Sequence, residues 1–337
     1  MSTAEDYALV VGINDYKNPP YDPLYGAKQD ATDFIAWLKD PAGGNVPDKN
    51  IDPFTKLSDA SGSEPMLSHL LILLSQLCRL APKGKKRIGR RLYLFLSGHG
   101  VSPRGEIDEA GLVTVDAQDR YNAFLPGKQS ADRFSLAAHF DEVLLFMDCC
   151  RLTNLILDPF LIPIYKKQDA DAARKVKRFY AFATGFGNTA RETMHNGVTR
   201  GNFSRILLEG LKSAPTNAQG RRTTTQLRTY LETEMAKIEI DGEPLVPKFP
   251  ALDEIVLAEG LAPKMSVVYL AFTQPTAGVE VLDGGNNFAP IQLVNVTATA
   301  NGMRFTLPMG KGYVIRATDS ARTSIMKTDQ EEIYADL

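Results

Sequence analysis

Cysteine is scarce in this sequence: there are three in 337 residues, and two of them are neighbours. Cys149 and Cys150 could pair only through a strained ring, and Cys78 alone makes no framework. A disulfide-stapled secreted domain is therefore excluded, and a reducing, cytoplasmic setting is expected. There is no run of 18 consecutive apolar residues, and the start, MSTAEDYALVVGIN, has no basic region leading into a long apolar segment. Neither a membrane-spanning helix nor an export signal is expected. An excess of charge of one sign is missing too: the net charge is −2, which gives no reason to expect a nucleic-acid or membrane partner. No repeat or low-complexity segment is evident. The histidines and cysteines supply no zinc set, since His69 and Cys78 lie nine apart on one helical pattern and His139 and His195 have no partner spacing.

What the chain does have is apolar material, 44% of its residues, arranged as strands alternating with helices. Strand patterns occur at 7–14, 51–59, 91–98, 142–148 and 178–184. Helix patterns occur at 27–40, 65–80, 130–140, 202–212 and 223–238. This alternation predicts an α/β fold with a mostly parallel sheet flanked by helices. From Met265 the texture becomes β-rich and broken by Gly, Pro and Asn, without a convincing helix. The expectation is one domain over 1–262 and a small all-β domain over 263–337. Cys78, inside MLSHLLILLSQLCRL, reads as a small buried hydrophobe.

Two strands end in chemistry. Tyr93-Leu94-Phe95-Leu96 runs into Gly98-His99-Gly100, and Val143-Leu144-Leu145-Phe146-Met147 runs into Asp148-Cys149-Cys150. In open α/β sheets reacting groups gather beyond the carboxyl ends of the strands, and two such ends meet if the strands are adjacent. A cysteine attacks a carbonyl as thiolate, so it needs a base such as histidine and donors for the oxyanion. The N–H of Gly100 and that of the nucleophile could supply those donors. Successive side chains on a strand alternate faces, so only one of the two adjacent cysteines should share a face with His99. The plainer reading is a turn histidine and two cysteines closing a buried strand, but the joint occurrence at two strand ends favours a catalytic pair.

On these motifs the chain resembles the caspase-like cysteine peptidases, most closely metacaspases and their bacterial relatives, whose signature is Ser-Gly-His-Gly followed by Asp-x-Cys. LSGHG and MDCCR carry the resemblance, and YALVVGINDY, LYGAKQDATDF, FATGFGNTARE and GNFSRILLEGL extend it over about residues 5–260. It implies that His99 is the general base and that Cys150, two after Asp148, is the nucleophile, with Gly100 and Cys150 donating to the oxyanion. It further implies that Asp30 and Asp148 line the pocket for the residue before the scissile bond, hence cleavage of protein chains after exposed Arg or Lys. Caspases that cut after Asp use arginines, and their Gln-Ala-Cys-x-Gly signature is missing here.

The sequence also departs from the metacaspase pattern. Those proteins commonly continue Cys-His-Ser-Gly after the aspartate motif, whereas Arg151-Leu152-Thr153-Asn154 follows here. Their acidic calcium cluster is not clearly reproduced; Asp108, Glu109 and Asp116 are the candidates, and no cofactor is expected. The fold commonly carries a processing loop between the cysteine strand and the next, and the segment 165–178 offers Lys166, Lys167, Arg174, Lys175, Lys177 and Arg178 as self-cleavage sites, with an activating partner or protease as the other route. The basic stretch KGKKRIGRR at 83–91 reads as a solvated loop. The alternative function is a catalytically silent adaptor whose caspase-like core only binds partners.

Overall fold

The computed structural model describes all residues except 1, 18–19, 59–60, 103–107, 119–122, 151, 154–169, 185–191, 218, 241, 262–264, 286, 310 and 329. The contacts divide the chain into two compact units, Met1–Ser213 with Arg228–Ile255, and Ala214–Leu227 with Val256–Leu337. The expected boundary at 262/263 follows residue texture. The contacts instead group residues 214–227 and 256–261 with the later ones, and Arg222–Thr223 pairs antiparallel with Val256–Ala258.

The first unit is built on a six-stranded sheet. Its strands in chain order are Asp6–Gly12 (β1), Thr55–Leu57 (β2), Gly89–Gly98 (β3), Phe140–Cys149 (β4), Lys177–Phe182 (β5) and Lys248–Leu252 (β6). Their order in space is β6-β5-β4-β3-β1-β2. All neighbours are parallel except β6, which runs antiparallel to β5. The central strands β3 and β4 are apolar on both faces because both faces are covered by helices, as parallel sheets require.

The helices among the described residues are Ala27–Lys39 (α1), Leu67–Arg79 (α2), Gly127–Leu136 (α3), Ala170–Lys175 (α4), Asn202–Ser213 (α5) and Thr224–Met235 (α6). Alternation along the strands decides which helix each side chain meets. Leu92, Leu94 and Leu96 of β3 and Val143, Leu145, Met147 and Cys149 of β4 share a core with Leu70, Leu73, Leu74 and Leu77 of α2 and Phe134 of α3. Cys78 is buried in the same core. The residues between them face α1: Phe34 stacks on Phe95 with ring centroids 4.5 Å apart and meets Phe146 edge-on at 5.8 Å. Beyond His99 a small sheet runs in the order Phe124–Pro126, Gly111–Val113, Gly100–Ser102, Leu152–Thr153. A hairpin, Glu192–His195 with Val198–Gly201, precedes α5.

The second unit carries two four-stranded sheets sharing one core, with Val268, Phe305 and Leu307 from one sheet and Val281, Tyr313 and Ile315 from the other.

Several local expectations change. The helix expected at 130–140 spans Gly127–Leu136 instead, because Ala138 takes a left-handed conformation (φ 51°) and Phe140 already opens β4. In the stretch 51–59 a 3₁₀ turn, Asp52–Phe54, precedes a strand of three residues, Thr55–Leu57. Within the proposed processing loop, Arg174 and Lys175 lie in α4, while Lys177 and Arg178 open β5. Lys166 and Lys167 lie outside the described residues. The stretch 83–91 is not simply solvated, because its arginines close the amino edge of the sheet. Arg87 pairs with Glu5 (2.8 Å) and Asp141 (2.7 Å), and the buried Arg91 pairs with Glu142 (2.7 Å) and the Tyr93 hydroxyl (2.9 Å).

Candidate active site

The register of β3 on β4 sets Ser97 opposite Asp148 and Gly98 opposite Cys149, so His99 and Cys150 leave the sheet side by side at its carboxyl edge. Both line a cavity of about 260 Å³, together with Leu24, Ala27, Asp30, Asp148, Glu192 and Gly201. The two cysteines part as strand alternation requires. Cys149 is buried in the α2/α3 core with Sγ 3.6 Å from the Leu96 carbonyl, and burial raises its thiol pKa well above the ordinary range. Cys150 is half-buried at the cavity wall.

His99 is held from three sides. Its main-chain N–H donates to the Tyr16 hydroxyl (3.0 Å), which donates to the Val113 carbonyl (3.1 Å). The rings of Tyr16 and Tyr21 pack on the imidazole with centroids 4.7 and 5.3 Å away. Nε2 lies 2.7 Å from the Asp22 carbonyl oxygen. A carbonyl can only accept, so Nε2 carries the proton and Nδ1 is left as the acceptor. Burial lowers the imidazole's pKa, which favours the neutral form a general base needs.

Gly100 sits where a side chain could not. A Cβ there would overlap the Cys150 carbonyl oxygen and stand 2.5 Å from Cys149 Cβ. Val113 N–H donates to the His99 carbonyl (2.9 Å), which makes Gly100 and Leu112 a non-hydrogen-bonded pair. That register turns the Gly100 N–H away from the strand Gly111–Val113.

The cavity is also acidic. Asp148 faces the α1/α5 side of the sheet and accepts the Ser204 N–H at the start of α5 (3.0 Å), and Asp30, in the first turn of α1, accepts the Gly201 N–H (2.8 Å). Asp30 is 1% exposed, and its Oδ1 has no hydrogen-bond partner among the described residues. Burial first, and then the charge of Asp148, pushes its pKa up to about 8; burial pushes that of Asp148 up to about 6. Gly201 lets the two carboxylates meet, since a Cβ there would overlap Asp148 Oδ2 and lie 2.9 Å from Asp30 Oδ2.

Sequence reasoning missed Glu192. It lines the cavity and accepts the N–H groups of Tyr25 (2.9 Å) and Gly26 (2.7 Å), capping α1 from the hairpin. A signal was present: Asn196-Gly197, both at positive φ, is the dipeptide of a tight two-residue hairpin turn. The calcium candidates do not converge. Glu109 accepts three main-chain N–H groups, of Ala110, Lys128 and Gln129 (2.8–2.9 Å), and Asp116 accepts the Leu67 N–H (3.1 Å). Among the described residues no three His, Cys, Asp or Glu side chains are placed to hold a metal ion, and no helix is long and apolar enough to cross a membrane.

A family model described as the caspase domain matches residues 5–244. A probable protease from a Desulfuromonadales bacterium is 29% identical over 217 residues, an alignment covering 62% of this chain and 26% of that protein. The chain thus spans about a quarter of that relative's length. The crystal structure of caspase-1 from Spodoptera frugiperda matches with a TM-score of 0.50 at 14% identity, covering 76% of this chain and 91% of the other, a likeness of fold.

Proposed function

The chain belongs to the caspase family of cysteine peptidases, and from that premise we propose that it is an endopeptidase cutting protein chains after arginine and lysine, with Cys150 as nucleophile and His99 as base. The observation that carries this reading is one cavity lined by a thiol, an imidazole and the carboxylates of Asp30, Asp148 and Glu192. A guanidinium or ammonium would be drawn to this group of carboxylates, whereas an aspartate side chain would be repelled by all three.

In the proposed mechanism His99 Nδ1 takes the Cys150 thiol proton, and the thiolate sulfur bonds the scissile carbonyl carbon. The N–H groups of Gly100 and Cys150 hold the oxyanion. The imidazolium then protonates the leaving amine as the C–N bond breaks, giving a thioester. Water, deprotonated by Nδ1, hydrolyses that thioester and restores the thiol. The Asp22 carbonyl keeps the imidazole in the tautomer these steps need.

Fluorogenic peptides differing only in the residue before the cut test the reading. Turnover is expected for Arg and Lys and not for Asp. For the arginyl peptide kcat/KM should climb as pH rises through about 6 to about 8, because deprotonation of the Asp148/Asp30 pair charges the pocket. Deprotonation of His99, whose pKa is lowered, precedes most of that climb. A citrulline peptide, neutral but of the same shape, should lack it. Equal cleavage of Asp and Arg peptides would sink the specificity. If no peptide is turned over and no thiol probe labels Cys150, the chain is a silent adaptor.

Self-processing is part of the same proposal. A scissile peptide must be extended and unpaired, and Lys177 and Arg178 are not: β5 lies between two strands, and the Arg178 N–H donates to Asp253 (2.8 Å). Cutting there would require β5 to detach. Arg174 and Lys175 are held in α4 and would need that helix to unwind, so incubated wild-type protein is expected to divide at Lys166 or Lys167 while Cys150→Ala stays whole. Intact mass spectrometry decides, and equal masses under conditions where peptide is cleaved would exclude self-cleavage.

A further inference from the structure

Asp30 stands between two cavities. The active-site cavity lies on one side, and on the other is a second of about 430 Å³ lined by Asp33, His195, Arg200 and Arg205 among others. Arg200 approaches Asp30 from this second side. Its Nη1 is ion-paired with Asp33 Oδ2 and lies 3.9 Å from Asp30 Oδ1, the buried oxygen with no hydrogen-bond partner among the described residues. Arg200 is adjacent to Gly201, whose N–H holds the other Asp30 oxygen, so one stretch of hairpin grips both ends of the carboxylate.

We propose that Arg200 is a positioning residue of the substrate pocket, holding Asp30 from behind in the orientation and charged form that receives the substrate's cation. This rests on reading the cavity as a pocket for arginine and lysine side chains. The groups facing Asp30 from the neighbouring elements are mostly acidic: Asp148 from β4, Glu192 from the hairpin and Asp33 from its own helix, with His99 and Cys150 lining the same cavity. Burial and the charges of Asp148 and Glu192 press Asp30 toward its neutral form, and the Gly201 N–H and Arg200 oppose them. The substrate cation would sit on the far side of the carboxylate. Coulomb attraction falls with distance, so Arg200 stabilises the Asp30 anion more than it repels the incoming cation.

The test is steady-state kinetics with arginyl and citrulline peptides between pH 6 and 9. Arg200→Met is expected to raise KM for the arginyl peptide roughly ten-fold at pH 7 with kcat little changed, the excess shrinking toward pH 9 as Asp30 ionises without help. KM for the citrulline peptide should stay put. Arg200→Lys should recover most of the loss, and Asp33→Asn, which leaves the Arg200 charge uncompensated, should lower KM for the arginyl peptide at pH 7. A KM rise that is equal on both peptides, independent of pH and not recovered by lysine overturns the proposal, as does an unchanged KM. If Arg200→Met fails to fold, Asp33→Asn decides: an unchanged or raised KM overturns the proposal. A wild-type protein that does not discriminate arginine from citrulline overturns the pocket reading itself, a result distinct from any of these.

Discussion

Cys150→Ala is expected to abolish turnover of an arginyl peptide, by roughly three orders of magnitude or more, while Cys149→Ala keeps most of it. The two sulfurs are one residue apart, but strand alternation sends them to different places. Cys149 contributes to the core beneath β4, where its loss should appear as a stability deficit of about 1 kcal/mol and leave the chemistry in place. Cys150 borders the cavity beside His99. His99→Ala should fall with Cys150→Ala, because without an acceptor for the thiol proton the nucleophile stays protonated; general-base loss alone typically costs about 10²–10⁴-fold. Single-turnover assays on the three variants, with thermal melts alongside, make the comparison. Full activity in Cys150→Ala would end the assignment.

The second large effect concerns charge, and it couples activity to stability with opposite signs. Asp148→Asn and Asp30→Asn should each cut kcat/KM for the arginyl peptide by roughly 10²–10³-fold, since removing one partner from a buried ion pair costs a few kcal/mol. The same changes should raise the melting temperature at neutral pH. Both carboxyls have folded-state pKa values above the ordinary range, so at pH 7 the fold resists their ionisation, and that resistance grows as pH rises from the unfolded pKa toward the folded one. An asparagine can still accept the Ser204 or Gly201 N–H without carrying charge into the site. Variants that lose arginine cleavage and also melt lower would show that the carboxylates serve packing instead.

Much of this was legible in the sequence because it follows from side-chain periodicity. The apolar runs 92–96 and 143–147 are the central strands, and the residues that follow each run, His99 and Cys150, stand together at one edge. What escaped depends on the main chain or on residues with weak local preference. No side-chain pattern marks the Asp22 carbonyl that fixes the His99 tautomer. The strand Lys248–Leu252 contains Pro250 and follows Pro247, which argues against a strand unless it lies at a sheet edge, where β6 is found. Glu192 and Arg200 lie on a short hairpin of polar residues, and their roles come from tertiary neighbours, Gly26 and Asp30, far away in sequence. The segment 170–175 is charged enough to read as an open loop, yet it is helical.

The division of the cysteines also reaches the bench. Cys78 and Cys149 are buried and Cys150 alone of the three is half-exposed. A water-soluble thiol reagent meets one sulfur per folded chain and three after unfolding. The ratio of the two counts is thus a stoichiometric titre of folded protein with an open site, and a preparation brings its own standard for converting bulk rates into turnover per competent molecule.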